Sequence, residues 1–241
     1  NNGASTSANY YFRMVKSDGT ALDSYARYPV LNISAGNQAP SVSSVVLNGG
    51  SAITLTPNAT TSFNISYTIT DTNGCADIVT NRATSTAFRS GVSATCAVPG
   101  PTTSNLNCYL YVTRATSTCS GTSINATDTV QIYYFAQATD ASSSFASDHW
   151  TAYALAVDAA NATGSATSSA VELNTLLAID VTTSSINYGT LNPSTDTGAT
   201  NQTATTTNAG NSSTTLQLSS FQTLKTGSNT ISTSSQRYST S

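Results

Sequence analysis

The chain has 241 residues, of which 8 are Lys or Arg and 11 Asp or Glu, so charged side chains make up 8% of it, against roughly a quarter in ordinary soluble domains. That composition excludes an average cytoplasmic enzyme, and a net charge of −3 with a pI near 4.7 argues against nucleic acid, because phosphate binding needs clustered Lys and Arg and the cations here are scattered singly. Ser (38 residues) and Thr (43 residues) supply the polarity that charge usually does, a surface suited to an extracellular setting, while 12 Tyr and 6 Phe exceed what a disordered tract carries.

In chain order, residues 1–37 open on Asn1-Asn2-Gly3-Ala4-Ser5, with neither an initiator Met nor a signal-peptide pattern. No run anywhere approaches the ~18 apolar residues of a membrane span. The opening and the closing Ser239-Thr240-Ser241 read as those of a processed protein or a segment of a longer one. Tyr10-Phe12-Met14 alternates with period two and Val30-Leu31-Asn32-Ile33 forms a second strand signal, too few strands to close a sandwich alone. Residues 1–37 therefore read as the C-terminal strands of a truncated domain. Their alternating apolar face makes Tyr10-Phe12-Met14 a candidate for donation to a neighbouring copy.

Residues 38–174 carry the densest strand pattern. Ile53-Leu55 precedes the strongest signal, Phe63, Ile65, Tyr67 and Ile69 interleaved with polar residues, which is a half-buried strand. Leu110-Val112, Val130-Ile132-Tyr134, Tyr153-Leu155-Val157 and Val171-Leu173 follow. Between them Asn48-Gly49-Gly50, Asp71-Thr72-Asn73-Gly74 and Asn161-Ala162-Thr163-Gly164 carry the Gly and Asn chemistry of reversing turns. Four Ala in 153–160 favour helix intrinsically, but the alternation of large residues predicts a strand with Ala on its opposite face. A short helical turn is admitted at 141–147. Residues 175–241, with Ile186-Tyr188 and Leu216-Leu218, read as the start of a further β-sandwich domain. The fold class is all-β: tandem immunoglobulin-like sandwiches, one complete at 38–174 and partial ones at 1–37 and 175–241.

Cys75, Cys96, Cys108 and Cys119 lie within one stretch and lack the CxxC spacing of a zinc site. Disulfides in an oxidising compartment are expected. Four cysteines allow three connectivities among which sequence does not choose; the preferred one joins Cys96 to Cys108 and Cys75 to Cys119. A catalytic reading fails for want of parts. His149 is the only histidine, Glu172 the only glutamate, and no GxSxG elbow is present, so no enzyme is expected. Asp71, Asn73 and Asp77 form the one calcium candidate, an oxygen-rich loop without an EF-hand's closing Glu. The preferred reading is a turn needing no metal, whose side chains bend their own backbone, although Asp128, Asp140, Asp148 or Asp158 could complete a site across the sandwich. Seven Asn-x-Ser/Thr triplets occur, the number chance gives in so Ser/Thr-rich a chain; Asn125, Asn161 and Asn211, placed in turns, are the better glycosylation acceptors.

Tyr10 to Tyr25, reading YYFRMVKSDGTALDSY, resembles the closing strands of fibronectin-III- or immunoglobulin-like repeats in large bacterial cell-surface proteins. The middle segment resembles the cadherin- or PKD-like sandwiches of surface proteins from candidate-phyla bacteria, through Thr70-Asp71-Thr72-Asn73-Gly74-Cys75, Arg89-Ser90-Gly91-Val92, Trp150, and Val157-Asp158 before Gly164 and Val171-Glu172-Leu173. Ile186-Asn187-Tyr188-Gly189-Thr190-Leu191, with Asn201-Gln202-Thr203 and Asn208-Ala209-Gly210-Asn211, is similar to the opening of domains in secreted fibre and surface-layer proteins. The resemblance implies architecture and a cell-surface setting, and no active site. The expected function is that of an extracellular structural segment of a surface layer, sheath or filament, whose partners are copies of itself or the rest of a longer surface protein. The alternative is an adhesin or carbohydrate-binding module stacking sugars on exposed Tyr109, Tyr111, Tyr133 or Tyr153.

Overall fold

The computed structural model describes residues 9–11, 15–20, 30–32, 36–96, 106–183, 185–187, 189–190, 192, 194–195, 197–198, 202–217 and 224–232. Short strands β1 (Asn9–Tyr11) and β2 (Val30–Asn32) pair antiparallel; Phe12 and Met14, the rest of the donor-strand candidate, lie outside the described residues.

The body of the chain is one seven-stranded antiparallel sheet made of β3 (Ser41–Leu47), β4 (Thr60–Thr70), β5 (Thr84–Arg89), β6 (Cys108–Thr116), β7 (Ser123–Tyr133), β8 (Trp150–Val157) and β9 (Thr163–Thr167), in the order β3-β4-β7-β6-β5-β8-β9. The sheet folds over on itself so that β3 lies against β8 and β9. The bend is in β6, which pairs with β5 through Cys108–Leu110, then with β7 from Tyr111 onward, with a register shift between Tyr111 and Thr113. A bulge between Ser43 and Val46, with Ser44 at φ 52°, rephases β3 so that Val45 and Leu47 enter the core.

The alternation seen in β4 fixes the core directly. Phe63, Ile65, Tyr67 and Ile69 are all buried, facing Ile124, Val130 and Ile132 of β7 and fully buried Trp150 of β8 within one cluster; a fully buried Ile or Phe contributes about 1.5–3 kcal/mol. Ile53 and Leu55 are buried too but form no strand: Ile53 makes a single parallel bridge to Leu173, its N–H donating to Glu172 O at 2.8 Å. Val171 likewise only bridges Trp150. The segment 141–147 makes turns, not the admitted helical turn, and among the described residues short 3-10 turns fall at Asn48–Gly50 and Cys75–Asp77.

β9 packs backbone to backbone against the start of β3. A Cβ on Gly164 would sit 1.8 Å from the Pro40 carbonyl oxygen, a contact no side chain survives without backbone movement. Gly164→Ala is therefore expected to cost about 2–3 kcal/mol, as overpacking does, seen as a lower denaturation midpoint at unchanged m-value; an unshifted midpoint would show that the two strands part freely.

Beyond the sheet, β10 (Ile179–Val181) pairs with β11 (Thr206–Asn208), and β12 (Leu224–Thr226) with β13 (Asn229–Ile231). These three-residue ladders leave Ile179, Val181, Ile186, Leu216 and Ile231 exposed. The described part of 175–241 is thus two small antiparallel pairs. Ile186 and Leu216 belong to no strand, and their expected partners Tyr188 and Leu218 lie outside the described residues.

Candidate functional site

Chain entry and the ends of β4 and β8 meet at one end of the sheet. There β4 runs out at Thr70 into Asp71, whose N–H donates to Thr122 O and whose Oδ1 accepts the N–H of Asn73 at 2.8 Å, the local bending bond that favours a turn. Gly74 follows at φ 111°, and the 3-10 turn Cys75–Asp77 is clamped by the Cys75–Cys119 disulfide and by Cys75 N–H donating to Gly121 O. From the other layer β8 delivers Asp158, which opens the reversal into β9: its Oδ1 accepts Ala162 N–H at 2.7 Å, and Asn161, at φ 69°, turns the chain.

This folding brings one carboxylate oxygen each of Asp71, Asp77 and Asp158 within 4.8 Å of one another. Asp71 and Asp158 are fully buried and Asp77 half-buried. The Oδ2 atom of Asp71 has no hydrogen-bond partner among the described residues. Asp158 Oδ2 accepts from the side-chain amide of Asn37 at 2.7 Å, and that bond, with the backbone N–H groups of the turn, holds its carboxyl below the usual range against the opposing effect of burial. Of the loop trio singled out from sequence, Asn73 does not join: its Oδ1 accepts Gln38 N–H at 2.7 Å and its amide donates to Gly36 O. Asp158 takes its place. Asp140 and Asp148 are engaged elsewhere, Asp140 with Thr175 and Ser142 and Asp148 with Arg89.

Asp128 sits instead at the centre of a second buried group. Directly opposite Arg114 in the ladder, it takes two guanidinium bonds, Nε to Oδ1 and Nη2 to Oδ2, both at 2.6 Å, and also accepts the hydroxyls of Tyr67 at 2.9 Å and Ser85. Arg114 Nη1 donates to the carbonyls of Thr80 and Ala83, and its guanidinium lies 4.3 Å from the Tyr111 ring centre. Burial and the neighbouring carboxylate push the Tyr67 phenol far up, so it stays protonated and donating. The group ties β4, β5, β6 and β7 together through Tyr67, Ser85, Arg114 and Asp128.

The structure joins Cys75 to Cys119 and Cys96 to Cys108, with Cα separations of 5.6 and 5.5 Å. Trp150 is fully buried, its indole N–H donating to Gln137 O at 2.9 Å. At the strand start the His149 carbonyl accepts the Ser90 N–H at 2.7 Å and the His149 N–H donates to the Ser90 hydroxyl oxygen at 3.0 Å.

Two groups of candidates are displaced from their expected settings. Tyr109, expected exposed, is fully buried with its ring 5.9 Å from that of Trp150, while Tyr111, Tyr133 and Tyr153 are half-buried and Tyr133 stacks on Phe135 at 4.8 Å. Among the glycosylation candidates only Asn161 is an exposed turn residue, and its amide oxygen meets Arg82. Asn125 lies within β7, exposed and bonded to Thr68. Asn211 is a structural latch: its Oδ1 accepts Leu176 N–H at 2.7 Å and its amide donates to Ala136 O and Asn174 O, so a glycan on that nitrogen would remove a hydrogen that the two donor bonds use. Sequence reasoning did not single out Arg114 or Ser85, and it took Asn211 as a glycosylation acceptor and not as a latch. The available signal for Arg114 was a lone cation mid-strand in a chain with so few charges.

No helix among the described residues is long and apolar enough to cross a membrane. No family model, curated protein or solved structure matches the chain.

Proposed function

We propose that this chain is a segment of an extracellular structural protein, a surface layer, sheath or filament, in which the body from Ser41 to Leu173 serves as a rigid spacer of immunoglobulin-like type. The observation that carries the reading is the placement of its two connections. The chain enters beside Asp71 and Asp158, where Ser41 pairs with Thr70, and leaves at Leu173–Asn174, next to Ile53 and Trp150, at the far end of the strands. Entry and exit lie apart by the length of β4, 11 residues, about 35 Å at the rise of an antiparallel strand. A module built so passes the chain through end to end, the geometry tandem spacers need.

Strand order supports the immunoglobulin-like part. Counting from β3, the first, second, fifth and fourth strands make one layer and the third, sixth and seventh the other, the order of constant-type immunoglobulin sandwiches. The antibody pin between second and sixth strands has no counterpart, and both disulfides tie loops and strand ends instead. Two disulfides and a surface poor in charge favour an oxidising, extracellular setting. The adhesin alternative loses Tyr109 to the core and retains Tyr133 with Tyr134 and Phe135.

Negative-stain microscopy of the native material is expected to show filaments or layers. Discrete unassembled particles that bind a polysaccharide column would overturn the structural reading in favour of the adhesin.

A further inference from the structure

We propose that Asp71, Asp77 and Asp158 hold a calcium ion at the entry end of the sandwich. Three carboxylates with oxygens within 4.8 Å of one another repel, and burial strengthens the repulsion by removing water. A protein relieves this with a buried cation or with hydrogen bonds to every oxygen. Neither is present: among the described residues both ion pairs use Asp128 and Asp148, and the Arg82 guanidinium donates to Asn161 in the turn after β8. Asp71 Oδ2, on a fully buried side chain of the cluster, is the buried side-chain polar atom that no described residue partners. An orphaned buried oxygen on a carboxylate clustered with two others is what a bound cation explains and a bare turn does not.

The donors choose the ion. They are all carboxylate oxygens, the ligands of hard cations, with no thiolate or imidazole for a softer metal. Asp71 keeps Oδ1 on the Asn73 N–H, while Asp158 accepts the Ala162 N–H at Oδ1 and the Asn37 amide at Oδ2 and would offer the ion a remaining lone pair, an irregular set on two separate turns. Such a set suits the flexible coordination of calcium better than the strict octahedron of magnesium, and half-buried Asp77 leaves water access to complete it. The site also fixes a joint: Asn37 donates to Asp158, and Gln38 and Gly36 bond to Asn73. The ion would therefore lock the segment leading into β3 onto the loop Asp71–Asp77 and the turn after β8.

The test is a calorimetric melt of the full chain after chelation, titrated with calcium chloride and separately with magnesium chloride, alongside Asp71→Asn and Asp77→Asn. Calcium is expected to raise the melting temperature by about 5 °C or more once it exceeds its dissociation constant roughly a hundredfold, with magnesium giving a much smaller rise. Asp71→Asn removes one of three like charges, so without calcium it should melt at or above the chelated parent, while its apparent calcium affinity falls at least about tenfold. Asp77→Asn, on a half-exposed side chain outside the core, should lose affinity likewise and remain folded. A parent melt indifferent to calcium up to about 10 mM, beyond the weakest extracellular modules, would overturn the site, as would variants that respond like the parent. An equal response to magnesium would overturn the choice of calcium.

Discussion

Replacing Arg114 with Met is expected to lower the melting temperature by about 10 °C or more. Asp128 is fully buried and its charge is balanced by the two guanidinium bonds at 2.6 Å. Removing the cation leaves that charge in the core, which costs about 3–5 kcal/mol, and a domain of this size loses about 2–4 °C per kcal/mol. The carbonyls of Thr80 and Ala83 lose their donors in the same step. Asp128→Asn is expected to be costly as well, because the amide presents donors to Arg114, but the double variant should cost clearly less than the two singles added together. Chemical denaturation of all four proteins gives the coupling energy directly. Strict additivity would mean that the two residues stabilise the fold independently and that the pair is not the unit described.

Removal of the Cys75–Cys119 disulfide by paired Ser substitution is expected to cost about 4 kcal/mol, and that of Cys96–Cys108 about 3 kcal/mol, from the entropy of closing loops of 44 and 12 residues in the unfolded chain. The order of the two is the informative part. Cys75 is buried at the foot of the Asp71–Asp77 loop, so its loss also frees the turn that presents Asp77. The Cys96–Cys108 bond joins the stretch after β5 to the start of β6, next to buried Tyr109. Melts of the two paired variants under identical conditions check this; a larger loss from the Cys96–Cys108 pair would show that the connection between β5 and β6 matters more to folding than the Asp71 end.

The strands most legible in the sequence were those with one wet and one dry face. Phe63, Ile65, Tyr67 and Ile69 set the phase of β4, and the structure keeps it. In β8 the same rule points the wrong way: Ala152, Ala154 and Ala156 are fully buried while Tyr153, Leu155 and Val157 are half-exposed. Bulk did not mark the inner face there because small Ala residues permit close packing of that strand beneath its neighbours. β6 shows the same inversion, with Tyr109 inside and Leu110 partly out. β3 and β5 were not recognised, since a bulge breaks the alternation of the first and the second, TSTAFR, buries Ser85, Thr86 and Arg89 through bonds that only tertiary structure supplies. The acidic site was half visible. Asp71 and Asp77 are neighbours in sequence, whereas Asp158 is brought to them by the β8 end and was one of four remote carboxylates with equal claim.

The two disulfides are nested, Cys96–Cys108 lying wholly inside the loop closed by Cys75–Cys119. When tension on the chain ends pulls the sandwich open, the force path runs from β4 through the outer sulfur bridge straight to the segment before β7. The 44-residue stretch spanned by that bridge never comes under load, and roughly 150 Å of contour length stays withheld. Oxidation thus sets how far a failed module can stretch, and a string of such modules would yield in short steps, each stopping well before the full length of its polypeptide.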